Sequence, residues 1–371
     1  MLDQIVIDIF YAVIASSLIF GVINTLRSNF YDIRMTRLRR ERRQHPFARH
    51  LRQRPTVNVI IHAHNDASVI AACLSSLVTG SYKKLNLIVV DNASADNTPS
   101  LVRKFAKDRP NLQLRLVAKR RRDSRQQAIA GAAKYIKTGL VLVIDAGVAI
   151  RPDAIKDAVL LHLQTQTPVI EFNSQIDHGY KLLGLSSKLR GIATIRSKKS
   201  GGFIVPGFDS YNYASLYSDD IFTCLTKHGD AFDDINALHQ ACANSLYDSQ
   251  AIVTVGRPAL TASNHTSSRH IIVNLISYLR AALSLVEPLL AVFMLYVAVM
   301  FNNPAYFTLG WLTFTLLLML AIWSDETRGA LDKLQLSILA LVSYVLYVLQ
   351  SLLGLIRLLY NSGYASVRRQ V

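Results

Sequence analysis

The fold is decided by the stretch Val89-Val90-Asp91-Asn92-Ala93-Ser94-Ala95-Asp96-Asn97-Thr98. A β-rich run, Leu85 to Val90, leads into it, and small and polar turn residues follow. The next residues, Ser100 to Lys107, have helical spacing. The stretch therefore predicts a strand, a loop and a helix, with the carboxylate of Asp91 at the point where the strand ends.

The same alternation extends to both sides of this stretch. Strands are predicted at Val57–His62, Leu85–Val90, Leu112–Val117 and Gly139–Ile144, with helices at Ala67–Val78, Ser100–Lys107 and Arg125–Lys137. Strands that alternate with helices indicate an α/β domain with a mostly parallel sheet covered by helices. Ligands of such sheets bind at the carboxyl ends of the strands, where Asn65, Asp91 and Asp145 fall.

The composition of the whole chain is both basic and apolar. Its 371 residues include 41 Lys and Arg against 25 Asp and Glu, a net charge of +16, and 51% are hydrophobic. That combination excludes a disordered chain and predicts a membrane protein with its positive charge on one side of the bilayer. The three cysteines are widely separated and fit a reducing compartment.

The positive charge is concentrated in an arginine block, Arg27 to Arg54, which contains ten arginines and only two acidic residues. The block follows an apolar run, Ile5–Leu26, that is long enough to cross a bilayer. A signal peptide is the alternative, but no basic segment precedes the run. The block predicts contact with membrane lipids and a cytoplasmic location for the region after it. No aromatic residues are interleaved with the arginines, and no nucleic-acid partner is predicted.

These patterns divide the chain into segments that are predicted to differ in environment. They are an N-terminal transmembrane anchor (1–26), a basic juxtamembrane segment (27–55), a soluble domain (56–265), an interfacial helix (266–284), a C-terminal transmembrane region of about three spans (285–359) and a tail (360–371). The soluble segment has about 210 residues, which is large enough for a hydrophobic core of its own.

Two motifs on successive strands resemble those of the family 2 glycosyltransferases, which have the GT-A fold. The stretch Val89–Thr98 matches the family's Val-Val-Asp-Asn-x-Ser-x-Asp-x-Thr, and His62-Ala63-His64-Asn65-Asp66 stands where the family has Pro-x-Tyr-Asn-Glu. The whole chain is similar to the membrane-bound synthases of hyaluronan-, chitin- or poly-N-acetylglucosamine-like polymers. The resemblance implies a Rossmann-like GT-A domain in the cytoplasm, flanked by transmembrane helices.

The resemblance also implies a site for a UDP-sugar. Asp91 would accept a hydrogen bond from the uracil ring, and the loop that holds Ala63, Asn65 and Asp66 would pack around the nucleoside. The residues implied near the diphosphate are Arg125, Asp145 and Arg269. From the residues alone, turn and helix-capping roles are the alternatives, and they are favoured for Asp96 but not for Asp91. The basic run Lys119–Arg125 has two interpretations, a diphosphate site or a solvated, lipid-facing loop.

A divalent cation, Mg²⁺ or Mn²⁺, is the implied cofactor, with Asp145 as its ligand. The family carries Asp-x-Asp at this strand end, whereas this chain has Asp145-Ala146-Gly147. One carboxylate together with a diphosphate can still hold a hydrated Mg²⁺, so a weakened metal site is expected.

The resemblance implies a catalytic base and acceptor contacts in the C-terminal half of the domain. The sequence Tyr217-Ser218-Asp219-Asp220 stands where the family has Thr-Glu-Asp, so Asp220 would be the base and Asp219 would contact the acceptor. Capping of the following helix is the alternative for Asp220. Arg269 and His270 stand where membrane synthases have the Arg-Trp of Gln-x-x-Arg-Trp, which places His270 at the acceptor.

The expected function is an inverting transfer of a sugar from a UDP-sugar to a lipid or a growing polysaccharide at the cytoplasmic face of a membrane. The alternative is a non-catalytic scaffold or regulatory subunit, because Gly147, Thr266 and His270 replace motif residues of the family. That alternative adds a partner membrane subunit to the expected partners.

Overall fold

The computed structural model describes residues 2–44, 55–136, 138–176, 199, 214–228, 245–255, 293, 295–324 and 329–341. The chain divides into two compact units. One, here called the sheet unit, comprises Thr36–Gly191 and Ser210–Val273, and the other comprises Met1–Met35, Ile192–Asp209 and Asn274–Val371.

The sheet unit contains one mixed sheet, with both parallel and antiparallel strands. Its strands are β1 (Val57–Ala63), β2 (Leu85–Asp91), β3 (Leu114–Ala118), β4 (Leu140–Asp145), β5 (Val148–Ile150), β6 (Val169–Ile176), β7 (Ala214–Tyr217) and β8 (Ser245–Val255). Their spatial order is β3-β2-β1-β4-β7-β6-β8-β5. The first four strands are parallel, as the alternation predicted, and β7 runs antiparallel to both β4 and β6.

Helix α1 (Leu2–Gln44) has residues in both units. The sheet unit also contains the helices α2 (Ile70–Thr79), α3 (Thr98–Lys107), α4 (Arg125–Ala130), α5 (Ala154–Thr165) and α6 (Asp219–His228). Helix α7 (Ala305–Trp323) belongs to the other unit. Apolar residues of α4 and α6 pack on one face of β1, β2 and β4, among them Ile129 and Phe222. The alternate strand residues, such as Ile61 and Val89, are also fully buried, so both faces of the sheet are covered.

A chain of buried amides crosses the strands near the end where they begin. The Nδ2 of Asn86 on β2 donates to the Oδ1 of Asn58 on β1 over 2.9 Å, and the Nδ2 of Asn58 donates to the carbonyl of Leu140 on β4 over 3.3 Å. Both asparagines are buried. These contacts tie three neighbouring strands together at one level, at the end opposite to the predicted site.

Helix α1 begins in the predicted anchor and continues without a break through the arginine block as far as Gln44. The predicted boundary between residues 26 and 27 is therefore not marked by a change in secondary structure. The guanidinium of Arg39, in the part of the helix that belongs to the sheet unit, lies 3.1 Å from the carboxylate of Asp248 on β8. At least one arginine of the block is thus committed to a partner within the protein.

Within the described residues, one helical stretch, Asp3–Glu41, is long and apolar enough to cross a membrane, judged by length and composition alone. The stretch Ala305–Leu320 of α7 is apolar but shorter, and residues 330–341 are also helical. The predicted interfacial helix and most of the other C-terminal segments lie outside the described residues. The predicted set of four spans is accordingly not confirmed.

Candidate functional site

The predicted strand ends lie side by side at the carboxyl edge of the sheet. The register of β1 pairs Ala63 with Asp91 on β2 and His62 with Asp145 on β4. Asp91 and Asp145 therefore stand on either side of the strand that leads into the loop with Asn65 and Asp66. The sheet brings together the residues that the sequence predicted at this edge.

Asp91 is buried without complete hydrogen bonding. Its exposed fraction is 3%, and its Oδ1 has no hydrogen-bond partner among the described residues. Its backbone carbonyl accepts from the N–H of Lys119 over 2.9 Å. A buried carboxylate oxygen without a donor costs free energy, and a donor on a ligand would recover it. Asp91 is thus a site for an N–H donor at the edge of the sheet.

The loop after β1 is fastened to the loop after β2. Asn65 adopts a left-handed conformation with φ of 56°, and its N–H donates to the Oγ of Ser94 over 3.0 Å. Its Oδ1 accepts from the N–H of Ala95 over 2.8 Å. Ala93 is also left-handed, with φ of 58°, a conformation that costs free energy for a residue with a Cβ. Asn65 therefore shapes the two loops beside Asp91.

Asp96 holds the outer part of the same pair of loops. Its carboxylate accepts from the N–H of Ala67 and from the N–H of Thr98, each over 3.0 Å. Burial raises the pKa of Asp96, but these hydrogen bonds and that from the Thr98 hydroxyl together outweigh it and lower the pKa. The N–H of Asp66 donates to the Oγ1 of Thr98 over 2.9 Å. Asp96 and Asp66 thus support the loops, which is the turn role weighed for Asp96 from the sequence.

Asp145 forms an ion pair with Arg125, the first residue of α4. The guanidinium Nε donates to the Oδ1 of Asp145 over 2.8 Å, and the two side chains are 11% and 16% exposed. The Nδ1 of His62 lies 3.7 Å from the same oxygen. Burial would raise the pKa of Asp145, but Arg125 and His62 outweigh it and lower that pKa to about 2. Asp145 is therefore a stably ionised group that already has a cationic partner.

The basic run before α4 is anchored to the loop after β2. Asn92 donates from Nδ2 to the carbonyl of Asp123 and accepts at Oδ1 from the N–H of Asp123, each over 2.9 Å. The Nζ of Lys119 donates to the carboxylate of Asp123. Ser124 then caps α4 in a capping box with Gln127. The side chains of residues 120–122 are exposed between these fixed points.

The residues at this edge do not fit the expected divalent-cation site. The described residues contain no group of three or more His, Cys, Asp or Glu side chains that could hold a metal ion. Asp145 is a lone carboxylate whose Oδ1 accepts from a guanidinium, and Gly147 offers no second carboxylate. A divalent ion needs several oxygen ligands and would compete with Arg125 for this carboxylate. The metal role of Asp145 stays a prediction that this donor set does not support.

The structure does not bring Asp219 and Asp220 to this edge, which corrects the roles expected for them. Strand β7 is antiparallel to β4, with Ala214 opposite Ile144 and Tyr217 opposite Val141. Helix α6 begins at Asp219, two residues after Tyr217, at the edge where β4 starts. The four-residue distance along β4 from Val141 to Asp145 is roughly 13 Å. The exposed Asp220 therefore stands in the first turn of a helix, where a negative charge is favourable, and not at the N-cap position.

Arg269 and His270 lie outside the described residues, so their predicted contacts with diphosphate and acceptor stay predictions. Sequence reasoning missed Asn92 as the residue that fixes the basic run and Ser94 as a partner of Asn65. Both lie within the stretch Val89–Thr98, so the motif itself was the available signal. It also missed that His62 faces Asp145, because strand pairing brings together residues far apart in the sequence.

Comparisons with known proteins agree with this fold. The family model described as "Glycosyl transferase family 2" matches residues 58–181. No curated protein matches the chain. A mannosyltransferase from Pyrobaculum calidifontis, solved with GDP-Man and Mn²⁺, is similar with a TM-score of 0.50 at 17% identity over 95% of this chain and 96% of that one. At that identity the likeness concerns the fold alone.

A second solved structure is similar over a smaller share of the chain. It is S. aureus TarS, residues 1–349, in complex with UDP-GlcNAc, with a TM-score of 0.42 at 15% identity over 81% of this chain and 92% of that one. The family match covers both loops of the site, with Asn65, Asp91, Arg125 and Asp145 inside it. The family 2 glycosyltransferase model therefore matches about a third of the chain, residues 58–181, within an α/β sheet whose first four strands are parallel and whose fold is similar to GT-A glycosyltransferases.

Proposed function

We propose that the chain transfers a sugar from a UDP-sugar to a lipid or growing polysaccharide acceptor at the cytoplasmic face of a membrane, with inversion at the anomeric carbon. The acceptor hydroxyl oxygen attacks that carbon, the bond to the diphosphate breaks, UDP leaves with the bonding electrons, and the hydroxyl proton passes to a base. The membrane location is supported by the apolar stretch Asp3–Glu41 and the arginine block within and after it.

One observation carries the nucleotide part of this proposal, the buried and unsatisfied Oδ1 of Asp91. The imide N–H of uracil is a donor of the kind that this oxygen lacks. Ala63 is paired with Asp91 and fully buried, and its carbonyl accepts from the N–H of Asn92 over 2.8 Å. The backbone of the two loops is therefore fixed before a base binds, which lowers the entropic cost of binding.

The experiment is a calorimetric titration of the full-length protein in detergent with UDP, GDP and their sugar conjugates. We expect UDP to bind the wild type, and Asp91→Asn to weaken it by about tenfold or more, because an amide in place of the carboxylate removes a charged acceptor. Asp108→Asn, at an exposed position after α3, is the matched control. Equal affinity of wild type and Asp91→Asn would contradict the assignment.

The same preparation distinguishes an enzyme from a scaffold. Release of UDP from a UDP-sugar in the presence of membrane lipid extract supports catalysis. Binding without any turnover, across UDP-sugars and acceptors, would favour the non-catalytic subunit with a partner in the membrane. Tighter binding of GDP than of UDP would support the nucleotide site but change the base that it binds from uracil to guanine.

A further inference from the structure

The carboxylate at the end of β4 already has a cation beside it. Arg125 and Asp145 form a pair that is mostly buried, with 11% and 16% of their side chains exposed. Breaking a buried ion pair leaves one charge uncompensated, which costs much more than the loss of a surface pair. A divalent ion at Asp145 would compete with this guanidinium for the carboxylate.

Arg125 is also held in place by the chain on both sides of it. Before it, Asp123 is fixed to Asn92 by two hydrogen bonds of 2.9 Å. After it, Gln127 donates from its N–H to the Oγ of Ser124 over 3.2 Å and accepts at Oε1 from the N–H of Ser124 over 3.3 Å. The guanidinium therefore does not depend on a mobile loop for its position at the edge of the sheet.

A guanidinium suits a diphosphate as well as a carboxylate. It carries five N–H donors in a planar fork and remains charged at any physiological pH. Arg120, Arg121 and Arg122 add exposed positive charge to the loop that precedes it. The positive charge that a metal ion would bring to a diphosphate is therefore present in side chains of this chain.

We propose that Arg125, and not a divalent cation, provides the positive charge for the diphosphate beside Asp145, so that the nucleotide binds to this chain without a metal ion. This inference rests on the nucleotide site proposed above and goes beyond it, because it removes the cofactor that the resemblance implied. It assigns Arg125 as a binding residue and Asp145 as the residue that positions it.

The first test compares UDP with uridine by calorimetry on the full-length protein, in EDTA and in MnCl₂. We expect the Kd of UDP to differ by less than about threefold between the two buffers, because no metal takes part. A Kd that rises more than about tenfold in EDTA would overturn the inference and leave the nucleotide site intact. If neither UDP nor uridine binds in either buffer, the nucleotide site itself is wrong and the inference falls with it.

The second test changes Arg125. We expect Arg125→Ala to weaken UDP by about 10- to 100-fold in EDTA, as for loss of a charged hydrogen bond, and to leave uridine unchanged. Arg125→Gln keeps a polar side chain of similar length without the charge, and we expect it to weaken UDP as well while its unchanged affinity for uridine controls for misfolding. Arg103→Ala, at an exposed position on α3, controls for loss of one positive charge. Unchanged affinity of Arg125→Gln for UDP would overturn the inference.

A third measurement needs no nucleotide. The electron paramagnetic resonance signal of free Mn²⁺ falls when the ion binds to a protein, and we expect wild-type protein to leave this signal unchanged. In Arg125→Ala the carboxylate of Asp145 loses its partner, and we expect Mn²⁺ to restore part of the lost UDP affinity. Stoichiometric binding of Mn²⁺ by the wild type, abolished by Asp145→Asn, would overturn the inference.

Discussion

At Asp145 two effects of opposite sign act on one carboxyl group. Burial opposes its ionisation, while Arg125 and His62 favour it, and the balance lowers the pKa of Asp145 from 3.8 to about 2. The unfolded chain lacks these neighbours, so between pH 2 and 3.8 it binds more protons than the folded protein. Stability therefore rises with pH through this window. The contribution, roughly 2 kcal/mol, is complete above the unfolded pKa and is lost as the pH falls towards 2.

We expect this pH dependence to disappear in Asp145→Asn. The wild type should melt at a higher temperature than the variant at pH 5, and the difference should shrink as the pH falls towards 2. Thermal denaturation followed by near-ultraviolet circular dichroism in detergent measures it, with Asp108→Asn as the control for loss of one exposed negative charge. A difference that stays the same at both pH values would contradict the assigned pKa.

The two acids at the edge of the sheet differ in how far the sequence could predict them. Asp91 follows directly after a predicted strand, so its place at the carboxyl edge could be inferred from the pattern. The pairing of Asp145 with Arg125 could not, because 20 residues separate them and the contact depends on how α4 starts. The local sequence pattern predicts the position of a residue along its own strand. Its contacts with residues of other elements depend on three-dimensional packing, which the pattern does not contain.

Among the elements, β7 decides at which edge of the sheet Asp219 and Asp220 lie. A strand that runs antiparallel to β4 ends at the edge where β4 begins, and α6 starts there. A general base must lie within hydrogen-bond reach of the hydroxyl it deprotonates. Asp220 does not meet this condition for a sugar nucleotide bound beside Asp91.

We therefore expect Asp220→Asn to keep the affinity for UDP and the rate of UDP release within about twofold of the wild type. Asp219→Asn, on the same helical turn, is its matched companion, and Asp91→Asn is the variant expected to lose binding. The measurement is the release of UDP from a UDP-sugar at saturating donor. A loss of turnover by 100-fold or more in Asp220→Asn, with UDP binding intact, would place Asp220 at the reacting centre and refute its assignment to the helix start.

The elements of the first half were predicted in the correct order because each carries its own signal. The runs Val57–His62 and Leu85–Val90 differ from the observed strands by one residue at their ends. The direction of β7 has no such signal, since a short strand reads the same in either direction. Helix α4 was predicted to reach Lys137 but ends at Ala130, and Gly131 follows it.

At the scale of the whole molecule, the arginine block makes the orientation in the membrane testable. It follows an apolar stretch and predicts a cytoplasmic sheet unit. We expect a cysteine introduced as Arg103→Cys, in a chain with Cys224 and Cys242 changed to Ser, to react with an impermeant maleimide only after the cells are permeabilised. Reaction in intact cells would contradict the predicted orientation.

Cys73 can stay in place during this labelling. Burial, followed by the charges of Asp145 and Asp66, raises the pKa of its thiol to about 12, so the reactive thiolate is absent at neutral pH. The parent chain without Arg103→Cys is the control, and it should remain unlabelled in intact and in permeabilised cells. Labelling of that parent would show that Cys73 is accessible.

The buried amides of Asn58 and Asn86 have a consequence for the opposite end of the sheet. Apolar strands such as β1 and β2 pack almost equally well when one slides by two residues along the other, because the same faces stay buried. A slide would leave the amides without partners in an apolar interior, at a cost of several kcal/mol. The amide hydrogen bonds therefore disfavour misaligned registers at the end where the strands begin. The register that pairs Asp91 with Ala63 at the other end thus depends on residues that no ligand at that edge would touch.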